Sequence, residues 1–171
     1  MKNKFLKLIS IALCACALIA LTACDSEKDG EDDKDGKGSS YSAIYGDVEI
    51  ALGADATKVL DRLGEPKSKN EIGDCGGLGS QVRYDFSSFI LYVLEADGTD
   101  TVDQITFKDD LVETSKGITV GSSVSDLKDA YGEPSETRGS SLIYRDGNKQ
   151  LTVKTDSDKV TSIDMMCVTE E

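Results

Sequence analysis

The sequence predicts an α+β fold of two tandem repeats, each a helix packed on a small antiparallel sheet, and three observations carry that prediction. The only two prolines, Pro66 and Pro134, stand 68 residues apart in the same phrase: Leu63-Gly64-Glu65-Pro66 and Tyr131-Gly132-Glu133-Pro134. Each phrase closes a stretch whose apolar residues repeat at helical spacing. Each is followed by three short runs of strand-like alternation. Recurrence at a fixed offset is the mark of duplicated architecture.

The chain opens with Lys2, Lys4 and Lys7 ahead of an apolar run from Leu8 to Leu21 broken only by Ser10, the build of a secretory signal and short for a spanning helix. Leu21-Thr22-Ala23-Cys24 resembles the lipobox of bacterial lipoproteins. That resemblance implies a signal peptide over 1–23 and a Cys24 whose sulfur carries a diacylglyceryl group. With palmitate-type acyl chains the mature protein would sit on the extracytoplasmic face of the cell membrane, because two chains anchor where one is marginal. Residues 25–40 contain no apolar side chain, so 24–40 is expected to be a lipidated, acidic, disordered tether. A flexible chain of this length spans roughly 20 to 25 Å. Its acids echo the first half of a calcium loop, but the twelfth positions are Gly36 and Ser42 where a bidentate glutamate would be needed, and no metal is expected.

Charge and composition exclude whole classes of function. The formal net charge is -13, and a leader that removes three lysines and no acid takes it to -16. Such a surface opposes nucleic acid and anionic headgroups, leaving the lipid anchor as the expected membrane contact. With no histidine in the chain, Ser-His-Asp triads and the usual zinc sites are out of reach. Of five cysteines, Cys14 and Cys16 leave with the leader and Cys24 takes lipid, so Cys75 and Cys167 remain in an oxidising compartment. A disulfide between them is expected, with two buried thiols or a redox pair as the alternatives. It would close a loop of about 90 residues and stabilise by roughly 4 to 5 kcal/mol in the chain-entropy account.

Repeat 1 is placed at 41–110 and repeat 2 at 111–171. In the first, 41–50 reads as an entering strand, and Ala56, Val59, Leu60 and Leu63 fall at i, i+3, i+4 and i+7 of a helix capped by Asp55 and stopped at Gly64. Strands are predicted over 81–86, 89–95 and 102–108. In the second, 118–120 enters a helix capped by Ser123 and stopped at Gly132, with strands over 142–145, 150–155 and 160–165. Tyr84, Leu91 and Val93 correspond to Tyr144, Leu151 and Val153 at an offset of 60, and Val102 and Ile105 to Val160 and Ile163 at 58. The extra length of the first copy falls in the glycine-rich stretch around Cys75, so a bridge to Cys167 would tie the two copies together.

A helix ended by Leu-Gly-x-Pro and followed by a three-stranded meander, twice over in an exported chain, resembles the β-lactamase-inhibitory-protein fold and the small lipoproteins of the BamE type. The run from Asp109 to Ser123, leading into Ala130-Tyr131-Gly132, is similar to clostridial lipoproteins. The likeness covers about residues 44–166. It implies the duplicated fold, but the inhibitory protein's contact residues have no counterparts here, and none is carried over.

Positions apolar in both copies are explained by a shared core, whereas positions apolar in one copy need another reason. Leu91 and Val93 match Leu151 and Val153 and are expected to face the helices. On the opposite parity the second copy has Gln150, Thr152 and Lys154, but the first has Ile90, Tyr92 and Leu94. With Val102 beside them and Arg83, Asp85, Gln104 and Thr106 as a rim, these form an apolar patch with a central aromatic. Burial under 41–50, under the glycine-rich insertion or under the other repeat is the competing account. Ser125 and Lys128 fit S-x-x-K, but the partner motifs of that enzyme class are missing. No catalytic residue and no cofactor is predicted. The expected function is a non-enzymatic protein-binding or scaffolding lipoprotein that contacts another extracytoplasmic protein through Ile90, Tyr92, Leu94 and Arg83. A solute-binding lipoprotein or an inhibitor of a cell-wall enzyme is the alternative.

Overall fold

In the computed structural model the described residues are 41–74 and 79–169. They form, in chain order, β1 (Ser42–Tyr45), β2 (Val48–Ala51), α1 (Ala56–Leu63), β3 (Ser68–Asp74), β4 (Ser80–Asp85), β5 (Phe89–Ala96), β6 (Thr99–Phe107) and β7 (Val112–Thr114). Then come α2 (Val124–Tyr131), β8 (Glu136–Arg138), β9 (Ser141–Asp146), β10 (Lys149–Asp156) and β11 (Lys159–Cys167). A three-stranded sheet has the order β2-β1-β7, and an eight-stranded sheet the order β3-β4-β5-β6-β11-β10-β9-β8. Every pairing is antiparallel.

This corrects the predicted fold class. The molecule is mostly β, with two eight-residue helices, and its strands do not divide into two small sheets each carrying its own helix. The last strands of the two meanders, β6 and β11, pair with each other through Gln104, Ile105 and Thr106 opposite Met166, Met165 and Asp164. Two sheets that would each have exposed an edge instead share it, which satisfies those backbone groups. Strand β7, from the segment assigned to the second unit, pairs with β1 of the first. The predicted entering strand at 41–50 is a hairpin, β1 and β2, turning at Gly46 with φ 61°. The stretch 118–120 is not a strand. There Ile118 N–H donates to Thr114 Oγ1 at 3.1 Å and its carbonyl accepts from Thr114 N–H at 2.9 Å.

Local chemistry explains the helices. Asp55 accepts from Thr57 N–H, and Ser123 forms a capping box with Asp126. Gly64 and Gly132 end the two helices at φ 75° and 79°, a conformation that costs a glycine little. Proline two residues on prevents continuation.

Both long hairpins carry a bulge at the same place. Tyr92 pairs with Gln104 but Val93 with Val102, leaving Asp103 as the extra residue; Lys154 pairs with Ser162 but Thr155 with Val160, leaving Thr161 extra. The bulge holds the loop before each helix against the sheet. Gly53 N–H donates to Val102 O at 2.7 Å and Val102 N–H to Ala54 O at 2.9 Å; Gly121 and Ser122 make the matching pair with Val160 at 2.8 and 2.9 Å. Bulges bend a strand and re-aim its neighbours, and here they seat the N-terminus of each helix.

One face of the large sheet, both helices and the small sheet enclose a single core in which Phe89, Leu91, Val93, Ile105, Leu127, Leu151, Val153, Ile163 and Met165 are sealed from water. Tyr45 packs edge-on against Phe89, with ring centroids 5.2 Å apart, and Phe89 stacks on Phe86 at 4.7 Å. At the other end Tyr131 lies between Tyr41 and Tyr144, at 6.1 and 5.6 Å, under the ammonium of Lys116 at 4.5 Å.

Candidate functional site: the outer face of the large sheet

Successive side chains on a strand point to opposite faces, so the residues between those of the core form a second surface. Pairing aligns them into rows that cross the sheet. One row runs Arg83, Tyr92, Gln104, Met166, Gln150, Arg145, and the next runs Asp85, Ile90, Thr106, Asp164, Thr152, Ile143. Ile90, Tyr92 and Leu94 lie on this outer face and are half-buried, whereas Phe89, Leu91 and Val93, which alternate with them, are at most 1% exposed. None of the three belongs to the core or packs against it.

Two of the three expected covers lie elsewhere. The β1–β2 hairpin sits on the core face, where Tyr45 meets Phe89. The second half of the sheet extends the first edge to edge rather than folding over it. Of the third, the glycine-rich insertion at 73–79, Gly73 and Asp74 continue β3 at the edge of the sheet beside β4, and residues 75–78 lie outside the described residues.

One predicted member of the patch is misplaced. Val102 is fully buried on the core side, because the extra residue Asp103 shifts the parity of β6 at that point. Parity counting missed two members. Met166 is half-buried on the outer face beside Gln104, and Ile143, 5% exposed, lies on the same face under the Glu136, Arg138 and Arg145 ion pairs. The doublet Met165-Met166 was the available signal, since strict alternation gives one of them to each face.

The polar side chains here are tied to one another. Arg83 Nη2 donates to Asp85 Oδ2 at 2.7 Å, and Lys108 pairs with the other carboxylate oxygen while also donating to Phe86 O at 2.6 Å. The hydrogen bond from Lys108, helped by the charges of Lys108, Arg83 and Lys67, holds the Asp85 carboxyl below the usual carboxylate range despite some desolvation. Arg83 Nε is shut off from water and has no hydrogen-bond partner among the described residues. Gln81 donates to Asp103 at 2.8 Å, and burial pushes the Asp103 carboxyl up while that bond opposes the shift. Across the seam Asp164 accepts from Thr106 Oγ1 at 2.7 Å and from Ser162 Oγ at 3.1 Å.

Other predicted positions fall elsewhere. Cys167 is a free, half-buried thiol whose Sγ lies 3.9 Å from Val102 O, and burial pushes its pKa up. Its expected partner Cys75 lies outside the described residues, as do the lipidation residue Cys24 and the acidic stretch behind it. Lys128 is taken up by Glu133 at 3.0 Å rather than by Ser125. The outer face therefore offers half-exposed apolar side chains framed by fixed polar groups, which suits recognition by contact. No family model, no curated protein and no solved structure matches the chain.

Proposed function

We propose that this chain is a lipoprotein held at the extracytoplasmic face of the membrane by Cys24, acting as a non-enzymatic module that binds another extracytoplasmic protein through Ile90, Tyr92, Leu94 and Arg83. The observation behind the reading is the asymmetry of the outer face. On β5 it carries three large apolar side chains that the core does not use, while the matching strand β10 carries Gln150, Thr152 and Lys154. Tyr and Arg, here Tyr92 and Arg83 side by side on the sheet, are among the side chains from which protein contacts draw most of their energy. Against a solute-binding role stands the way the halves meet. They join by backbone pairing of β6 to β11, so the junction is a ladder and not a cleft.

The test is site-specific photo-crosslinking in whole cells. A crosslinker replacing Tyr92 is expected to trap a discrete protein adduct, and one replacing Gln150, in the same row of the sheet, is expected to trap none. Equal yields of the same products from both positions, or no adduct from either, would remove the proposal. Cys24→Ser is expected to move the chain from the membrane fraction to the soluble fraction.

A further inference from the structure

We infer that Arg83 is the specificity-determining residue of this face, and that the segment it selects is an extended polypeptide presenting one carboxylate beside apolar side chains. The inference rests on the protein-binding reading above and sharpens it. Three observations carry it.

The first is the arginine's own bonding. An arginine has five N–H donors, and among the described residues only Nη2 has an acceptor, while Nε is enclosed without one. A buried donor left unmet is costly, so the free state holds this guanidinium in an arrangement that a better acceptor would improve.

The second is that Asp85 is not held by Arg83 alone. Lys108 holds its other oxygen, so Arg83 can turn outward to an incoming carboxylate without stranding a charge. The guanidinium matches a carboxylate in two parallel hydrogen bonds, which a lysine cannot do.

The third is placement. Arg83 pairs directly with Tyr92, between Ile90 and Leu94. Alternate residues of a strand are about 7 Å apart, the same repeat with which an extended polypeptide laid on the sheet presents its own side chains. The charge at this end of the face is complementary as well: Arg83, Lys108 and Lys67 act on Asp85, while Asp103 and Asp164 are engaged elsewhere on the face by Gln81 and by Thr106 and Ser162, in a chain whose formal charge is -13. That total also repels a second copy and an anionic lipid surface, which leaves a polypeptide of another protein as the occupant.

The experiment is selection of a random peptide display library on the full-length chain in detergent micelles, followed by affinity measurement of the enriched peptides. The expected result is enrichment of Asp or Glu within two residues of an aromatic or branched apolar residue. Affinity should fall about tenfold or more in both Arg83→Gln and Arg83→Lys, and stay within about twofold in Lys154→Gln on the other half of the face. Arg83→Lys keeps the charge and is the decisive variant should Arg83→Gln unfold. Enriched peptides without an acid, or with unchanged affinity for Arg83→Lys, overturn the inference; if they still need Tyr92, the protein-binding reading survives. Peptides indifferent to both Arg83 and Tyr92 end both. Arg83-dependent binding of acetate alone, or an Arg83-dependent dimer in sedimentation, would also overturn it in favour of a small anion or a second copy.

Discussion

Strands β5 and β10 occupy the same place in the two halves of the large sheet, and on the core side they are nearly interchangeable. Leu91 and Leu151, and Val93 and Val153, are all fully buried. On the outer side they part company, with Ile90, Tyr92 and Leu94 against Gln150, Thr152 and Lys154. The difference separates two demands on one strand. Burial in a shared core constrains one parity in both halves alike, because a missing methyl group there leaves a void. The other parity of these two strands is under no such demand, so three large apolar side chains on β5 and none on β10 are surplus to folding. A second difference lies inside the core. The first half closes its end with Phe86, Phe89 and Tyr45, and the second with three tyrosines, Tyr41, Tyr131 and Tyr144.

The largest effect expected from this comparison is on the shared parity. Leu91→Ala and Leu151→Ala each delete a side chain with no exposure and should each cost about 2 to 5 kcal/mol. Because β6 and β11 join the halves into one sheet, either substitution should shift a single cooperative urea transition. Two resolved transitions would show that the halves fold separately. Tyr92→Ala, one residue from Leu91 but on the other face, should cost far less stability than Leu91→Ala.

The tyrosine end should make the stability of the whole chain depend on pH in alkaline solution. Burial, with added repulsion from Asp146, pushes the Tyr41 hydroxyl from 10.0 up to about 12, and burial raises Tyr131 and Tyr144 as well. Below pH 10 these hydroxyls are protonated in both folded and unfolded chains and contribute no pH dependence. Between about 10 and 12 the unfolded chain has lost the Tyr41 proton and the folded chain still holds it, so stability falls as pH rises. From Tyr41 alone the loss amounts to about 2 kcal/mol by the upper end. Urea midpoints measured across that range should fall, and Tyr41→Phe should flatten the slope. An unchanged slope in that variant would mean that Tyr41 ionises as freely in the fold as outside it.

What the residues disclosed in advance follows from which forces act through side chains. Asp55, Gly64, Ser123 and Gly132 mark the helix ends because caps and left-handed stops depend on specific atoms. The central strands β5, β6, β10 and β11 are legible because burial on one face imposes alternation. Edge strands escape that logic. Ser68–Asp74 of β3 and Glu136–Arg138 of β8 are mostly polar and line the margins of the sheet, where apolar side chains would invite aggregation. The joining of β6 to β11 is a backbone event with no side-chain signature, which is why two small sheets were expected where one eight-stranded sheet exists. In the candidate site, parity identified Ile90, Tyr92 and Leu94 but failed at Val102, since one bulged residue reverses every inference beyond it. Arg83 could be placed on the rim, but its unmet Nε belongs to three-dimensional packing and has no trace in the chain.

The smallest effect concerns the hairpins that close the two bulged pairs. Asp97 and Gly98, between β5 and β6, both have positive φ, 52° and 76°, as a two-residue type I′ turn requires. Between β10 and β11 the same turn is made by Ser157 and Asp158, at 49° and 67°. A left-handed conformation costs an ordinary residue roughly 1 to 2 kcal/mol, less for an aspartate, and costs glycine almost nothing. The first half therefore has the better turn chemistry. Asp158→Gly gives the second half the Asp97-Gly98 solution and should raise stability by about 0.5 to 1 kcal/mol, after allowing for the added freedom of glycine in the unfolded chain. The substitution leaves the outer face untouched, so peptide affinity should not change. A loss of stability instead would mean that the Asp158 carbonyl, which accepts from Val124 N–H at 3.0 Å, needs the aspartate to fix that loop against the start of α2.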